Sequence, residues 1–373
     1  MTKWIGSGKG LLLGLVATGL LGPVFADGTE TNAPVAKKSM RDMMRDPEDG
    51  KLDMSEWLST AHGFFPVPII ITEPATGYGG GLMLLFLHDS LQNRAELMQK
   101  QELKRLPPPG VSGVFGMATE NGTWAAGGFH KGYWRDDTIR YTGALAYLAP
   151  NYDYYGTPDF PLPVDSIPVS IEGGLLFQQL VFRLGDSDFF AGSGYSYFNA
   201  DAQLDTDVSL PPLLAEGRSF SSASLPFILE YDTRDSQFTP NRGLNSYFQW
   251  SYFDEWLGGD TRFDLVWAKN RYWHPLAENF VLGLRLDGEF SNGDVPFYMK
   301  PFVNMRGMPA MRRQGEQVIT TEAELRWDFT PRWSTVGFGG AGWTSDDGLG
   351  GFGQAYPAGG LGFRYLFSKL YQL

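Results

Sequence analysis

The stretch "FVNMRGMPAMRRQGEQ", residues 302–317, gathers Arg306, Arg312 and Arg313 in a chain whose formal net charge is −12. A guanidinium is a planar fork of donors that grips carboxylate or phosphate through paired, charge-assisted hydrogen bonds. Carboxylates follow at once. In "TTEAELRWDF", Glu322, Glu324, Arg326 and Asp328 alternate with Ala323, Leu325, Trp327 and Phe329. Alternate residues of a strand share a face, so the acids line one side of it.

Other spacings that could do chemistry do not hold up. "DPEDGKLDMSE" suggests a calcium loop, but aligning Gly50 with the invariant glycine puts Arg45 and Pro47 where the first two carboxylates belong. His62, His88, His130 and His274 are scattered, without metal-ligand spacing. Gly348, Gly350 and Gly353 satisfy G-x-G-x-x-G in "GLGGFG", with no βαβ context for a dinucleotide. There is no G-x-S-x-G elbow, and no serine and histidine are identified as neighbours on adjacent strands. The sequence therefore predicts no catalytic residue, no metal and no cofactor, and the chain is not read as an enzyme.

The elements that must position the arginines are set by composition. Among 373 residues there are 47 glycines and no cysteine, aromatics make up 15% and charged residues 19%. Glycine at this level does not suit helix interiors. With many aromatics it suits strands, turns and the girdles of membrane barrels. Lack of cysteine excludes a disulfide framework and a thiolate metal site, and the acidic balance argues against nucleic acid. Residues 1–26, "MTKWIGSGKGLLLGLVATGLLGPVFA", read as a secretory signal peptide: Lys3 and Lys9, an apolar run from Leu11, and a small-residue end at Ala26. Residues 27–62 are polar and read as a short periplasmic segment with one amphipathic turn.

From residue 63 to 373 the dominant period is two. In "NFVLGLRLDGEFS", Phe280, Leu282, Leu284, Leu286 and Phe290 share one face and Arg285, Asp287, Glu289 and Ser291 the other. A soluble sandwich and a membrane barrel both produce this pattern. Loop lengths separate them. Fourteen strands are predicted, near 66–72, 78–88, 111–119, 122–133, 138–150, 168–183, 189–204, 218–232, 242–253, 260–274, 279–292, 318–330, 333–344 and 354–367. With the first strand starting in the periplasm, "WRDD", "GDSD", "SQFTPNR", "HPLAEN" and "TPR" become short periplasmic turns. "APNYDYYGTPDFPLPVDS", "DTDVSLPPLLAEG" and the arginine stretch become long outer loops. Short turns on one side and long loops on the other are the asymmetry of an outer-membrane barrel. The short outer turn "EPATG" and a long periplasmic excursion after residue 88 depart from it. Trp134, Trp250, Trp273, Trp333 and Trp343, near strand ends, read as interface anchors.

Five stretches carry a family resemblance. "LEYDTRDSQFTPNRGLNSYFQW" resembles the Asp-x-Arg-Asp…Pro-x-x-Gly turn of the BamA/TamA-like outer-membrane barrels, the bacterial surface-antigen superfamily. Its counterparts here are Asp232, Arg234, Asp235, Pro240 and Gly243. "NMRGMPAMRRQGEQVITTEAELRW" is similar to that family's sixth outer loop and the Glu-x-Arg strand after it. "FGGAG" supplies Phe338, Gly340 and Gly342 at the family's wall motif, and "GGLGFRY" matches the next strand. The opening "FPVPIIITEPATGYGGG" is similar to members without periplasmic (POTRA) domains.

The resemblance implies a transmembrane antiparallel barrel of sixteen strands in the family type, so two strands would be missing from the C-terminal end. It further implies that the loop, residues 293–317, folds into the lumen, where Arg306, next to Gly307, meets the wall carboxylate Glu324. Gly340 stands where some members carry an aspartate, which implies one wall carboxylate fewer. Met305 and Met308 replace the usual β-branched and aromatic neighbours. Arg312 and Arg313 have no family counterpart; lumen acids such as Glu289 or Glu322, lipopolysaccharide, or solvent remain open as their partners. The implied function is insertion or translocation of protein or lipid at the outer membrane of a Gram-negative bacterium. The implied partners are outer-membrane lipid and lipopolysaccharide, a polypeptide substrate and a separately encoded periplasmic protein. A passive pore or structural surface antigen is the competing reading.

Overall fold

The computed structural model describes residues 40–46, 49–53, 64–88, 110–156, 164–204, 218–236, 239–345 and 351–366. The signal peptide, the excursion after residue 88, the loop "DTDVSLPPLLAEG", the first glycines of "GLGGFG" and the C-terminal "SKLYQL" lie outside the described residues.

The chain is all-β. Its strands are β1 (Phe64–Glu73), β2 (Gly77–Leu87), β3 (Val111–Thr119), β4 (Trp124–Trp134), β5 (Ile139–Ala149), β6 (Asn151–Tyr154), β7 (Ile167–Arg183), β8 (Phe189–Leu204), β9 (Arg218–Asp232), β10 (Gly243–Phe253), β11 (Phe263–Ala277), β12 (Phe280–Gly293), β13 (Gln317–Asp328), β14 (Trp333–Ser345) and β15 (Tyr356–Tyr365). They form one antiparallel sheet in chain order, with β1 and β15 as its edges. Fourteen strands run along this ladder, as the periodicity predicts; the extra one, β6, pairs only with β7. It lies inside an expected outer loop, where Tyr152 and Tyr154 turn inward onto Phe297. Four alternating residues are too few for periodicity to register.

A second difference is at "HPLAEN". Here β11 continues through Pro275 to Ala277, with a register shift between the two, which leaves only Glu278 and Asn279 as the turn. Proline is tolerated at such an irregularity, where no ladder hydrogen bond is asked of it.

Alternation sorts the two faces. On β13, Val318, Thr320, Glu322, Glu324 and Arg326 are buried while Leu325 and Trp327 are exposed. On β12, Asp287 is buried and Leu284 and Leu286 are exposed. A sheet with charge inside and apolar side chains outside is inverted relative to a soluble core, as lipid requires. The segment between β12 and β13 shows that the sheet curls around an interior. Tyr298 reaches Ser222 on β9, Ala310 N–H donates to Glu73 on β1 at 3.2 Å, and Phe297 and Met311 join a cluster with β6, β7 and β8. Val303 and Met305 also pack against Tyr356 and Ala358 of β15, so one short segment touches both ends and the middle of the sheet, and those strands surround it. Trp273 departs from the anchor expectation. Its position on β11 faces inward, and it is buried while Trp134, Trp250 and Trp333 are exposed.

Before β1, a single helical turn (Met40–Met43) leads into a small hairpin, closed by an Arg45–Leu52 bridge with Gly50 at φ +66°.

Candidate functional site

The arginine-bearing loop has its own architecture. A 3-10 turn at Phe297–Met299 precedes a fold-back in which Val303 N–H donates to Arg313 O at 2.9 Å and Gly315 N–H to Pro301 O at 3.1 Å. Gln314 ties the fold-back to the 3-10 turn by donating to Phe297 O at 2.6 Å. Val303 and Met305 are buried against Val318 of β13. The loop thus has an apolar footing of its own, and Arg306 is carried at its turn. Gly307 follows at φ +81°, a backbone conformation that side-chain-bearing residues rarely take.

Arg306 meets two carboxylates of β13. Its Nε and Nη2 donate to Glu322 Oε2 and Oε1 at 3.2 and 2.5 Å, and Nη1 donates to Glu324 Oε2 at 2.7 Å. The guanidinium carbon lies 3.5 Å from the Phe338 ring centroid, a cation–π contact. From β15, Arg364 Nη2 donates to both oxygens of Glu324 at 2.7 and 2.9 Å. Two guanidinium groups therefore balance two carboxylates. Burial alone would lower the Arg306 pKa; Glu322 and Glu324 outweigh it and hold the group above its ordinary value.

The wall-motif residues take distinct places. Phe338 is the ring under Arg306 and pairs with Glu324 across the ladder. Gly340 pairs with Glu322, and a Cβ on it would stand 2.1 Å from Thr321 O. Gly342 is the seat of the loop: a Cβ there would fall 2.2 Å from Val303 Cγ1. The expectation of one carboxylate fewer, drawn from Gly340, is corrected by Glu322, which grips Arg306 from two positions along the same face as Glu324. That signal was present in the alternation.

Glu322 is consequently not a partner of Arg312 or Arg313, and Glu289 lies beside Lys269 at 3.7 Å. Arg312 instead lies over Tyr155, and Arg313 over Tyr356 at 4.5 Å from the ring centroid. The loop backbone is held as well, with Arg285 donating to Asn304 O at 2.9 Å.

The turn motif closes on itself and on the wall. Arg234 forks onto Asp232 at 2.9 and 3.0 Å, and Asp235 Oδ1 accepts the amides of Ser236, Asn241 and Arg242. Gly243 opens β10 at φ +110°. Pro240 O accepts from Arg326 Nη1 at 3.3 Å, and Asn241 Oδ1 accepts from Nη2 of the same arginine. Thr239, Pro240 and Trp273 line a small cavity together with Glu324, Arg326 and Arg364. The turn thus reaches the wall beside the Arg306 cluster, a juxtaposition that linear sequence does not reveal.

Two further constellations escape the sequence reading. In the β13–β14 turn, Arg332 is buried and donates to Asp46 at 2.5 Å, Asp49 at 2.8 Å and Asp53 at 3.0 Å. It also donates to Leu52 O and Leu366 O, and Tyr365 Oη donates to Leu52 O. The aspartates of "DPEDGKLD" are thus engaged by a guanidinium. On β3, Ser112 has histidine neighbours, His88 and His130, a pairing that the sequence alone does not identify. Residues far apart in sequence meet here because β2, β3 and β4 are adjacent. Ser112 lies inside the ladder, paired with both Phe86 and His130, so its backbone is committed to the sheet.

The sequence matches the Omp85 superfamily domain over residues 180–305, from within β7 to the residue before Arg306. It has no match among curated proteins. The fold is similar to the crystal structure of BamA from Haemophilus ducreyi lacking POTRA domains 1–3, with TM-score 0.54 and 13% identity over 82% of this chain and 64% of that one. It is also similar to CdiB from Acinetobacter baumannii, with TM-score 0.51 and 13% identity over 81% of this chain and 53% of that one. This chain spans less than two thirds of the length of either.

Proposed function

We propose that this chain, an outer-membrane β-barrel carrying an Omp85 superfamily domain, serves insertion or translocation of a polypeptide or lipid at the outer membrane, with residues 293–317 as an internal gate. The observation that carries the reading is the placement of Arg306. A loop built only to connect two strands has no need to place a guanidinium between Glu322 and Glu324 on the inner wall. Nor would it need contacts on β1, on β6–β8 and on β13 at once. The match to the Omp85 superfamily domain and the two structural likenesses support the assignment. The 1–26 leader would deliver the chain, residues 27–62 would sit on the periplasmic side, and a separately encoded protein would present the cargo.

In mechanism, the Arg306–Glu322–Glu324–Arg364 cluster is the lock. It balances its own charge, two guanidinium groups against two carboxylates. Removing one partner strands a charge, at about 3–5 kcal/mol for a buried pair. Opening therefore needs a competing partner for the guanidinium or carboxylates, which a cargo with charged groups supplies. Conductance across planar bilayers tests this. The intact chain is expected to be closed or to flicker, and deletion of residues 296–314 to give steady open channels. Steady ohmic conductance by the intact chain, unchanged by Arg306→Ala, would instead show a passive pore.

A further inference from the structure

The outward surface of β2–β5 carries a polar chain that neither the lumen nor the loop uses. His88, one residue past β2, continues the ladder by donating its amide to Gly110 O at 2.9 Å. Its Nε2 lies 2.7 Å from Ser112 Oγ, and the same hydroxyl lies 2.9 Å from His130 Nδ1. The two imidazoles meet edge to face at 5.0 Å. All three side chains are on the outer face. Ser112 alternates in phase with exposed Val114, and His130 with exposed Trp124 and Trp134. Tyr141, whose neighbour in phase is the exposed Leu145, stacks on Trp134 at 5.8 Å and donates to Gln178. An aromatic girdle accounts for Trp134, Tyr141 and Phe86. It does not account for two imidazoles sharing one hydroxyl on a surface that meets lipid, where polar groups are costly.

The hydrogen-bond arithmetic says what the chain can bind. A serine hydroxyl donates one bond and accepts others, so with both rings neutral one of them donates to Ser112 and the other accepts from it. The two outer ring nitrogens, His88 Nδ1 and His130 Nε2, are then one N–H and one bare lone pair. One proton taken from water converts the bare nitrogen into a second N–H and gives the chain one positive charge. That state offers two charge-assisted donors, the complement of an anion with paired oxygens. Among the described residues no carboxylate, lysine or arginine is bonded to the chain; Phe86, Tyr141, Trp134 and Gln178 surround it. Among the described residues no internal anion competes for the donors.

We propose that His88, Ser112 and His130 bind the phosphate of a phospholipid in the leaflet beside the short turns. The location fits: His88 follows the last residue of β2 and Ser112 is the second of β3, on the same side of the sheet as the β4–β5 turn, and His130 pairs with Ser112 four residues before the end of β4, near where headgroups lie. The choice of phospholipid over lipopolysaccharide rests on the reading of those turns as periplasmic.

The test uses the full chain, delipidated in uncharged detergent and titrated with phosphatidylglycerol, with bound lipid counted by native mass spectrometry. His88→Ala and His130→Ala are each expected to weaken binding about tenfold, as loss of a charge-assisted bond implies. Ser112→Ala, which breaks the chain but keeps both rings, is expected to weaken it about threefold. Leu145→Ala, outward but outside the chain, leaves binding unchanged. Heat-modifiable mobility confirms folding of each variant, and His88→Gln and His130→Gln replace any that fail. Wild-type binding by both histidine variants overturns the proposal. Displacement of the lipid by equimolar inorganic phosphate overturns the lipid assignment. Histidine-dependent binding of lipopolysaccharide in place of phospholipid overturns the leaflet and reverses the orientation, without touching the lock at Arg306.

Discussion

Arg306 and Arg332 are both sunk among carboxylates, yet they do different work. Arg306 holds Glu322 and shares Glu324 with Arg364, so the cluster is charge-balanced, and its members come from the loop, β13 and β15. Arg332 is a single guanidinium among three aspartates, and its partners are some 280 residues away along the chain. One arrangement fastens a loop to a wall that is already there. The other joins the segment before β1 to the turn after β13 and, through Leu52 and Tyr365, to the end of β15. Burial pulls the Arg332 pKa down, and Asp49 and Asp53 outweigh it and hold the group above its ordinary value. A balanced, partly shared cluster can exchange partners; a buried guanidinium that gathers three aspartates of one short segment is a fixed tie. That suits a gate in the lumen and a fixed strap at the rim.

The largest expected effect breaks the strap. Arg332→Ala removes the guanidinium paired with the buried Asp46 and Asp53 and should cost about 3–5 kcal/mol. Heat-modifiable mobility should show unfolding at clearly lower temperature, with protease cutting in 45–53 first. A variant as heat-resistant as the parent would mean the strap is decoration.

The next effect ranks the partners in the lumen. Glu324 keeps Arg364 when Arg306 is removed, whereas among the described residues Glu322 receives its paired contacts from Arg306 alone. Double-mutant cycles should therefore give a larger coupling for Arg306 with Glu322 than with Glu324, the former within about 1–3 kcal/mol. Equal couplings, or a larger one for Glu324, would put the weight of the lock where the family motif alone puts it.

This ranking also shows how far the sequence could be read. Fourteen ladder strands, their inward charges and the Arg306–Glu324 contact follow from a period of two and one motif, because each depends on neighbours along a strand or across one hairpin. Glu322 is visible in the same period, although the family motif points only to Glu324. Arg332 was invisible for a different reason. "TPR" looks like any short turn, and "DPEDGKLD" looks like any solvated acidic run, since their pairing is decided only when the sheet curls. The Ser112 chain is hidden likewise, because β2, β3 and β4 supply one residue each and no single strand carries a motif. Local patterns report local geometry; contacts closed by curvature leave no trace in spacing.

The smallest effect separates the two arginines by acid. The hydrogen bond from Arg332 holds the Asp49 carboxyl below its ordinary 3.8; burial opposes this, and the Lys51 amide adds to it. A carboxyl whose folded pKa is depressed contributes stability that is present above the unfolded value and lost as pH falls through the folded one. Residues 45–53 should thus stay docked from neutral pH down to about 4 and loosen only below it. Amide exchange of that segment, compared at pH 6 and pH 3 on the folded barrel, reads the release directly. Asp49→Asn removes the titrating group while keeping an oxygen for Arg332, so its exchange should depend less on pH than the parent's. An acid response of equal size in the Asn variant would assign the release to Asp46 or Asp53 instead. No response at all in the parent would mean that Arg332 is held well enough by Leu52 and Leu366 carbonyls, and that charge is incidental to the strap.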